Sequence, residues 1–282
     1  MNLVKTIVSS IALIAAANAF ADSSLQEATY TLTDGIVDTL NPNSSNGTLI
    51  TLIDGREVYV GLTAWSDTGY RTANKDRWDK DNLVVRQTNG LTKYGSGFGF
   101  KNNDRYRNSD SYGDRHTIDN YRDEKGKQDF DMVLLSFDTE VKLANASMSY
   151  VDRYNSSNSG KDITVAGLND ITLFQNNATF SWKKLVREGI VSNASLGHYA
   201  VTNKISTFST NLQAAKYWLV GAYNTAFDPN KQQTADFGFK LSSIKFTVKG
   251  QDKPSTEVSE PGMLALMGLG LGMLAWRRKR SV

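Results

Sequence analysis

A polar stretch from Lys101 to Phe130 carries seven basic and seven acidic residues and breaks the pattern of the surrounding chain. Within it, His116, Asp119 and Asn120 form the tightest group of polar side chains. Carboxylate, amide and backbone carbonyl oxygens are the ligands that Ca²⁺ takes in proteins. Connections of this length in compact domains are often functional. The stretch is therefore a candidate loop site, with Ca²⁺ as its candidate ligand and no other cofactor expected.

Four further carboxylates flank this group and add oxygen atoms: Asp104, Asp110, Asp114 and Asp123. An EF-hand register started at Asn108 fails, because Tyr112 falls where an oxygen ligand is needed and Asp119 replaces the bidentate glutamate. The alternative interpretation is structural. His116 and Asn120 then bond to backbone groups and pin the loop to the domain, and we favour this interpretation over calcium by a modest margin.

The usual catalytic motifs are missing from the sequence. It holds two histidines, His116 and His198, and no cysteine, and neither G-x-S-x-G nor H-E-x-x-H occurs. These absences favour a non-enzymatic protein without a catalytic residue. A carboxylate pair for glycoside hydrolysis has no fixed spacing, so a secreted polysaccharide-active enzyme, similar to a glycoside hydrolase, stays open as the alternative.

Exposed aromatic rings are a second candidate binding feature, because they can stack on sugars. Trp78 lies among charges in "KDRWDKDN", and Tyr121 lies in the polar stretch. Both are candidates for sugar stacking. Trp218 in "YWLVGAY" lies within an apolar run and is assigned to the core.

Strand patterns dominate the elements that must hold these residues. "REVYVGLTAWSD" alternates apolar and mixed positions, and "TLITLIDG" before it ends in Asp54-Gly55, which predicts a hairpin. "DMVLLSFDTEVKLANASMSYV" predicts two strands with a turn near Asp138-Thr139. In "ADFGFKLSSIKFTVKG" the apolar phase shifts by one residue, which predicts a bulge or turn at Ser242-Ser243.

One helix is expected, in "SWKKLVREG". Ser181 suits the N-cap, Trp182, Leu185 and Val186 share one side, and Gly189 suits the stop. Many short strands with polar turns and one short helix are typical of an all-β domain. We expect a single β-sandwich or jelly-roll-like domain.

The N-terminus, Met1 to Ala21, has Lys5 before the apolar run "IVSSIALIAAA" and small residues at Ala19 and Ala21. This pattern predicts a secretory signal peptide, cleaved after Ala21. The chain has no cysteine, so an exported fold must rely on its core rather than on disulfides.

The C-terminus has three parts: a Glu260-Pro261 step, an apolar run from Gly262 to Trp276, and a basic end. The basic end consists of Arg277, Arg278, Lys279 and Arg280. The apolar run spans only about 22 Å as a helix, at roughly 1.5 Å per residue, against about 30 Å of hydrocarbon. The basic end favours the cytoplasmic side, which leaves the Glu-Pro step accessible on the outer side.

This tail resembles the PEP-CTERM sorting signal that exosortases process, with Ser259 in the position that is usually proline. The resemblance implies a short transmembrane sorting helix and cleavage near Glu260-Pro261. A permanently tail-anchored envelope protein is the alternative. Cuts after Ala21 and Ser259 leave 27 basic and 28 acidic residues, so the basic pI gives no argument for nucleic acid as a partner.

The central region is similar to the XDP type of exosortase-dependent surface proteins. Five ordered stretches within residues 57–250 carry the resemblance: "YGSGFGFKNND", "HTIDN", "DMVLLSFDTEVKL", "SWKKLVREG" and "YWLVGAYNTAF". It implies an exported surface protein and gives no chemistry. The molecular activity of this group is poorly defined.

These observations predict three segments: a signal peptide at 1–21, a β-sandwich surface domain at 22–252, and a sorting tail at 253–282. The resemblances imply export, a transient inner-membrane stage, and release to the cell surface or extracellular matrix. The partners they imply are exosortase, signal peptidase with the general secretion machinery, and exopolysaccharide of a biofilm.

Overall fold

The computed structural model describes residues 25–34, 36–67, 84–88, 90–95, 97–100, 116–121, 130–152, 161–176, 178–228 and 237–250. One compact unit runs from Leu25 to Lys249. The predicted signal peptide and the predicted sorting tail lie outside the described residues.

The described residues form thirteen strands and two short helices. The strands are β1 (Gln26–Thr31), β2 (Thr48–Thr51), β3 (Glu57–Ser66), β4 (Arg86–Gln87), β5 (Thr92–Tyr94), β6 (Gly97–Gly99), β7 (Ile118–Asp119), β8 (Asp131–Val151), β9 (Asp162–Leu168), β10 (Val191–Ala200), β11 (Ile205–Thr207), β12 (Ala215–Ala222) and β13 (Gly238–Val248). The helices are α1 (Thr172–Gln175) and α2 (Trp182–Arg187). The all-β prediction is confirmed.

Strand β8 is the central strand of the fold, because it belongs to both halves of the sheet network. Its first half pairs with β3 and β12, and its second half pairs with β13 and β11. The partners change where Val141 pairs with Ala215 and the next residue, Lys142, pairs with Thr247. The predicted turn near Asp138-Thr139 is wrong as a strand break, because the strand continues through it.

The two halves enclose a common apolar core. Phe137 from the first half and Phe246 from the second half lie with ring centroids 5.1 Å apart. Alternate residues of each strand point into this core, and examples are Val60, Leu62, Val133, Leu135, Val165, Val220, Leu143, Phe239, Leu241 and Ile244. Burial of this alternating set is the main driving force that holds the halves face to face.

The shift of apolar phase in β13 is accommodated as the sequence predicts. The register between β13 and β8 is irregular between Leu241 and Ser243, and both Leu241 and Ile244 are fully buried. An extra residue at this point returns the apolar side chains to the same face. The bulge prediction at Ser242-Ser243 is confirmed.

The hairpin prediction is also confirmed. β2 and β3 are antiparallel neighbours, with Thr48 opposite Val60 and Thr51 opposite Glu57. At the turn Leu52 N donates to Arg56 O over 2.8 Å. Gly55 there has φ of 83°, a conformation that favours glycine.

A second apolar cluster covers the outer face of the first half. Trp65, Met132 and Leu134 face outward from the sheet and pack under the two helices, which supply Phe174 and Trp182. The sequence predicts one helix in the domain, and the described residues form two. The additional α1 has only four residues, too few for an apolar period to reveal it. Within the described ranges, no helix is long and apolar enough to cross a membrane.

The predicted helix ends are confirmed for α2. Ser181 is its N-cap and its side chain accepts a hydrogen bond from Lys184 N. Gly189, just past the helix, has φ of 68°. Trp182 and Leu185 are buried on the side that faces the sheet.

The domain has two distinct ends. Both ends of β8 meet the segment 116–121, since Asp131 Oδ2 accepts a bond from Asp119 N and Asp152 accepts one from the Tyr121 hydroxyl. We call this the His116 end. β13 starts there and finishes at Val248, opposite Gln26 of β1. We call the region of residues 25–26 and 248–250 the terminal end.

Candidate functional site

The central part of the polar stretch is a structured segment of the His116 end. Ile118 and Asp119 form β7 and pair with Phe239 and Gly238 of β13. Ile118 is fully buried in the core. A Cβ atom at Gly238 would come within 2.5 Å of Thr117 Oγ1, so glycine is needed for this close approach. Segments 101–115 and 122–129 lie outside the described residues.

Asn120 fixes this segment to two other parts of the chain. Its side-chain Nδ2 donates to Tyr223 O over 2.9 Å, and its Oδ1 accepts from Phe237 N over 2.9 Å. The residue is fully buried. Both halves of its amide therefore bond to backbone groups, which is the arrangement of a structural pin.

Asp119 has local partners of the same kind. Its carboxylate accepts from the Thr117 hydroxyl over 2.8 Å and from Tyr121 N over 3.3 Å. Among the described residues, no group of three or more histidine, aspartate or glutamate side chains is placed to hold a metal ion. The four flanking carboxylates of the calcium hypothesis lie outside the described residues, so that hypothesis stays a prediction.

His116 lies at the start of the segment, against an aromatic ring. Its imidazole stacks on Tyr94 with a centroid distance of 3.9 Å and an interplanar angle of 23°. The Lys240 ammonium donates to Tyr94 O and lies 5.3 Å from the Tyr150 ring centroid. Lys240 is only 7 % exposed. The Lys240 cation and the Tyr150 ring form a cation–π pair beside the stacked rings of His116 and Tyr94.

The sugar-stacking candidates have different outcomes. Tyr121 is 9 % exposed and its hydroxyl bonds to the buried Asp152. Its ring is therefore not presented to solvent, and Tyr121 is wrong as a stacking residue because the fold buries the segment that carries it. Trp78 lies outside the described residues and stays a prediction. Trp218 is fully buried, as expected.

His198 lies in a second polar group, near the end of β12. Its Nδ1 is 3.0 Å from Thr164 Oγ1, and its Nε2 is 4.0 Å from Asp228 Oδ2. This order of groups resembles a hydroxyl, histidine and carboxylate triad. Thr164, however, is fully buried and its hydroxyl accepts from Asn224 N. The hydroxyl is therefore not accessible to a substrate.

The structure also contains a pocket of about 260 Å³ that the sequence did not indicate. It lies between β4 and the chain just before α2. The described residues that line it are Trp65, Val84, Val85, Arg86, Gln87, Ala178 and Thr179. A bridge between Val85 and Phe180 joins its two walls. Because the walls are about ninety residues apart in the chain, no local sequence pattern could reveal the pocket.

Comparison with known proteins identifies the tail. Residues 257–280 match the family described as the PEP-CTERM protein-sorting motif. The predicted resemblance of the tail is confirmed: it carries the PEP-CTERM protein-sorting motif, which supports an exosortase-sorted protein. No curated protein and no solved structure matches the chain.

The match defines the class of protein: secreted, processed by exosortase and sorted to the cell surface. It covers the sorting residues that the sequence indicated, Ser259, Glu260, Pro261, Arg277, Arg278, Lys279 and Arg280. The likeness of residues 57–250 to the XDP type stays a prediction.

Proposed function

We propose that the protein is a non-enzymatic module that associates with carbohydrate polymer at the cell surface or in the extracellular matrix. The observation that carries the proposal is the PEP-CTERM motif at residues 257–280, joined to an all-β domain with a continuous core. A surface domain that is released by exosortase lies among the polymers outside the cell.

The route to the surface follows from the two termini. The signal peptide at 1–21 directs export and is removed by signal peptidase. The tail then holds the protein at the inner membrane until exosortase cuts near Glu260-Pro261. The product joins exopolysaccharide or a biofilm matrix.

Two features favour a binding module over an enzyme. The hydroxyl of Thr164 beside His198 is buried. The lining residues that the structure describes for the pocket near Trp65 include no carboxylate, whereas glycoside hydrolysis uses a facing carboxylate pair. The polysaccharide-active enzyme remains the alternative to test.

The test uses the protein in its native host. Protein recovered from the polymer fraction is expected to have an intact mass that ends near Ser259, and to sediment with purified polymer without shortening it. A Glu260→Ala, Pro261→Ala double variant is the control and is expected to keep its tail and stay with the cells. Recovery of wild-type protein that retains Trp276 would favour the permanent tail anchor, and shortening of the polymer would favour the enzyme.

A further inference from the structure

We propose that the pocket between β4 and residues 178–179 binds a carboxylate-bearing sugar, the uronic acid unit of an acidic polysaccharide. The inference deepens the proposed function and rests on it for the polymeric source of the ligand. The argument for the pocket uses its described lining residues.

The charge of the pocket comes from Arg86. Arg86 is exposed, and β4 holds it in place by pairing Arg86 with Ser66. It is the cation among the seven described lining residues. The planar guanidinium fork pairs with both oxygens of a carboxylate at once. A carboxylate is therefore the group that this wall recognises best.

The other walls suit a sugar ring. Gln87 and Thr179 supply amide and hydroxyl groups for sugar hydroxyls, while the buried Trp65 and Val85 form the floor beneath them. The accessible lining is more polar than apolar, which suits a ligand that carries hydroxyl groups and a carboxylate. The volume of about 260 Å³ lies just below the range for drug-sized ligands, about 300–1,000 Å³. The pocket therefore has room for one ring.

The walls are held rigidly before any ligand arrives. Val85 N donates to Phe180 O over 2.8 Å, and Thr88 N donates to Ala64 O over 2.8 Å. Behind the pocket, the Trp65 ring meets Phe174 edge to face at 4.9 Å. A preformed site loses little conformational entropy on binding.

The charge of Arg86 decides whether the pocket selects an anionic sugar over a neutral one. The chain without its predicted signal and sorting residues carries 27 basic and 28 acidic residues, so no net field attracts an anion. An acid lies nearby, because Gln87 Nε2 donates to Asp38 Oδ1 over 3.4 Å. Burial raises the pKa of Asp38, with the bond from Gln87 acting in the opposite direction. Selectivity for an anionic sugar therefore depends on the guanidinium.

The experiment measures binding of glucuronate, glucose and inorganic phosphate to the full chain in mild detergent, by titration calorimetry. Glucuronate is expected to bind about tenfold or more tightly than glucose, because a charged hydrogen-bonded pair contributes that much. Arg86→Gln is expected to remove this advantage, and Arg86→Lys to retain part of it. Arg187→Gln is the matched control, since that arginine on α2 has a side chain 77 % exposed.

Three results would overturn the inference. One is equal glucuronate affinity for wild type and Arg86→Gln when both unfold at the same urea concentration. Another is phosphate binding as tight as glucuronate binding, which would make the pocket a general anion site. The third is unchanged binding by Thr179→Val, a second variant that removes a hydroxyl from the opposite wall.

The outcome can be separated from that of the proposed function. If Arg86→Gln still sediments with the native polymer as wild type does, the pocket is not the polymer site and the proposed function stands. If wild-type protein itself does not sediment with the polymer, the proposed function fails whatever the pocket binds.

Discussion

At the scale of single residues, the sequence leaves two roles open for His116 and Asn120. They are ligands of a cation, or they bond to backbone groups and pin the loop to the domain. Asn120 bonds to Tyr223 O and Phe237 N. A buried amide that satisfies two distant backbone groups contributes more to stability than an exposed one.

Asn120→Ala is expected to lower the free energy of unfolding by about 2–4 kcal/mol, because two buried backbone groups lose their partner and each costs roughly 1–3 kcal/mol. Urea unfolding of the full chain measures this change. Asn193→Ala, at an exposed position of β10, is the control and is expected to change stability little. A loss below 0.5 kcal/mol at Asn120, roughly the range of surface substitutions, would contradict the role of a pin.

The raised pKa of Tyr223 predicts how the free energy of unfolding changes at high pH. Burial, followed by the nearby Asp228 carboxylate, raises the pKa of its phenol above the ordinary value of 10.0. The folded state therefore keeps a proton that the unfolded state releases first. This contribution to stability is complete below pH 10 and is lost as the pH rises from there towards the folded-state pKa.

Tyr223→Phe is expected to make the fall in unfolding free energy between pH 9 and pH 11.5, about the window set by an ordinary tyrosine pKa, shallower than in wild type. The measurement is urea unfolding at several pH values in that window. Parallel curves for the two proteins would show that Tyr223 does not contribute.

At the scale of elements, the sequence predicted the helix ends and the apolar phase of the strands correctly. It did not predict that β8 continues without a break. Ser181 and Gly189 mark α2 because capping depends on local backbone groups. Asp138-Thr139 suggested a turn because it interrupts an apolar run. The strand continues there because the Asp138 side chain accepts a bond from Tyr59 N on the neighbouring strand.

Gly189→Ala is expected to lower the free energy of unfolding by about 1 kcal/mol. A residue with a Cβ atom at φ of 68° costs about 1–2 kcal/mol, and an added Cβ would meet no atom of a more distant residue within 4 Å, so a steric clash adds nothing. Gly189→Asn is the matched comparison and is expected to cost less, because asparagine tolerates this conformation. Thermal or urea unfolding of both variants measures the difference. An equal cost for both variants would show that backbone conformation is not the cause.

At the scale of the whole molecule, the path of β8 gives the domain its polarity. The strand leaves the His116 end, changes partners near Val141, and returns to the same end. Asp67, Tyr121 and Asp152 consequently lie together at the His116 end, opposite the terminal end.

The sequence by itself determined the features whose physics is local. Its tail has a Glu-Pro step, an apolar run and a basic end, and residues 257–280 match the sorting motif. The alternation of apolar residues determined the all-β class, because the two faces of a strand alternate whatever partner it has. The phase shift at Ser242-Ser243 determined the bulge for the same reason.

Tertiary structure alone decided the features that depend on distant parts of the chain. Burial of Tyr121 depends on Asp152, and the role of Asn120 depends on Tyr223 and Phe237. The Arg86 pocket exists because Val85 pairs with Phe180, ninety-five positions along the chain. Contacts between distant segments are set by the packing of the whole core, so no local pattern in the sequence encodes them.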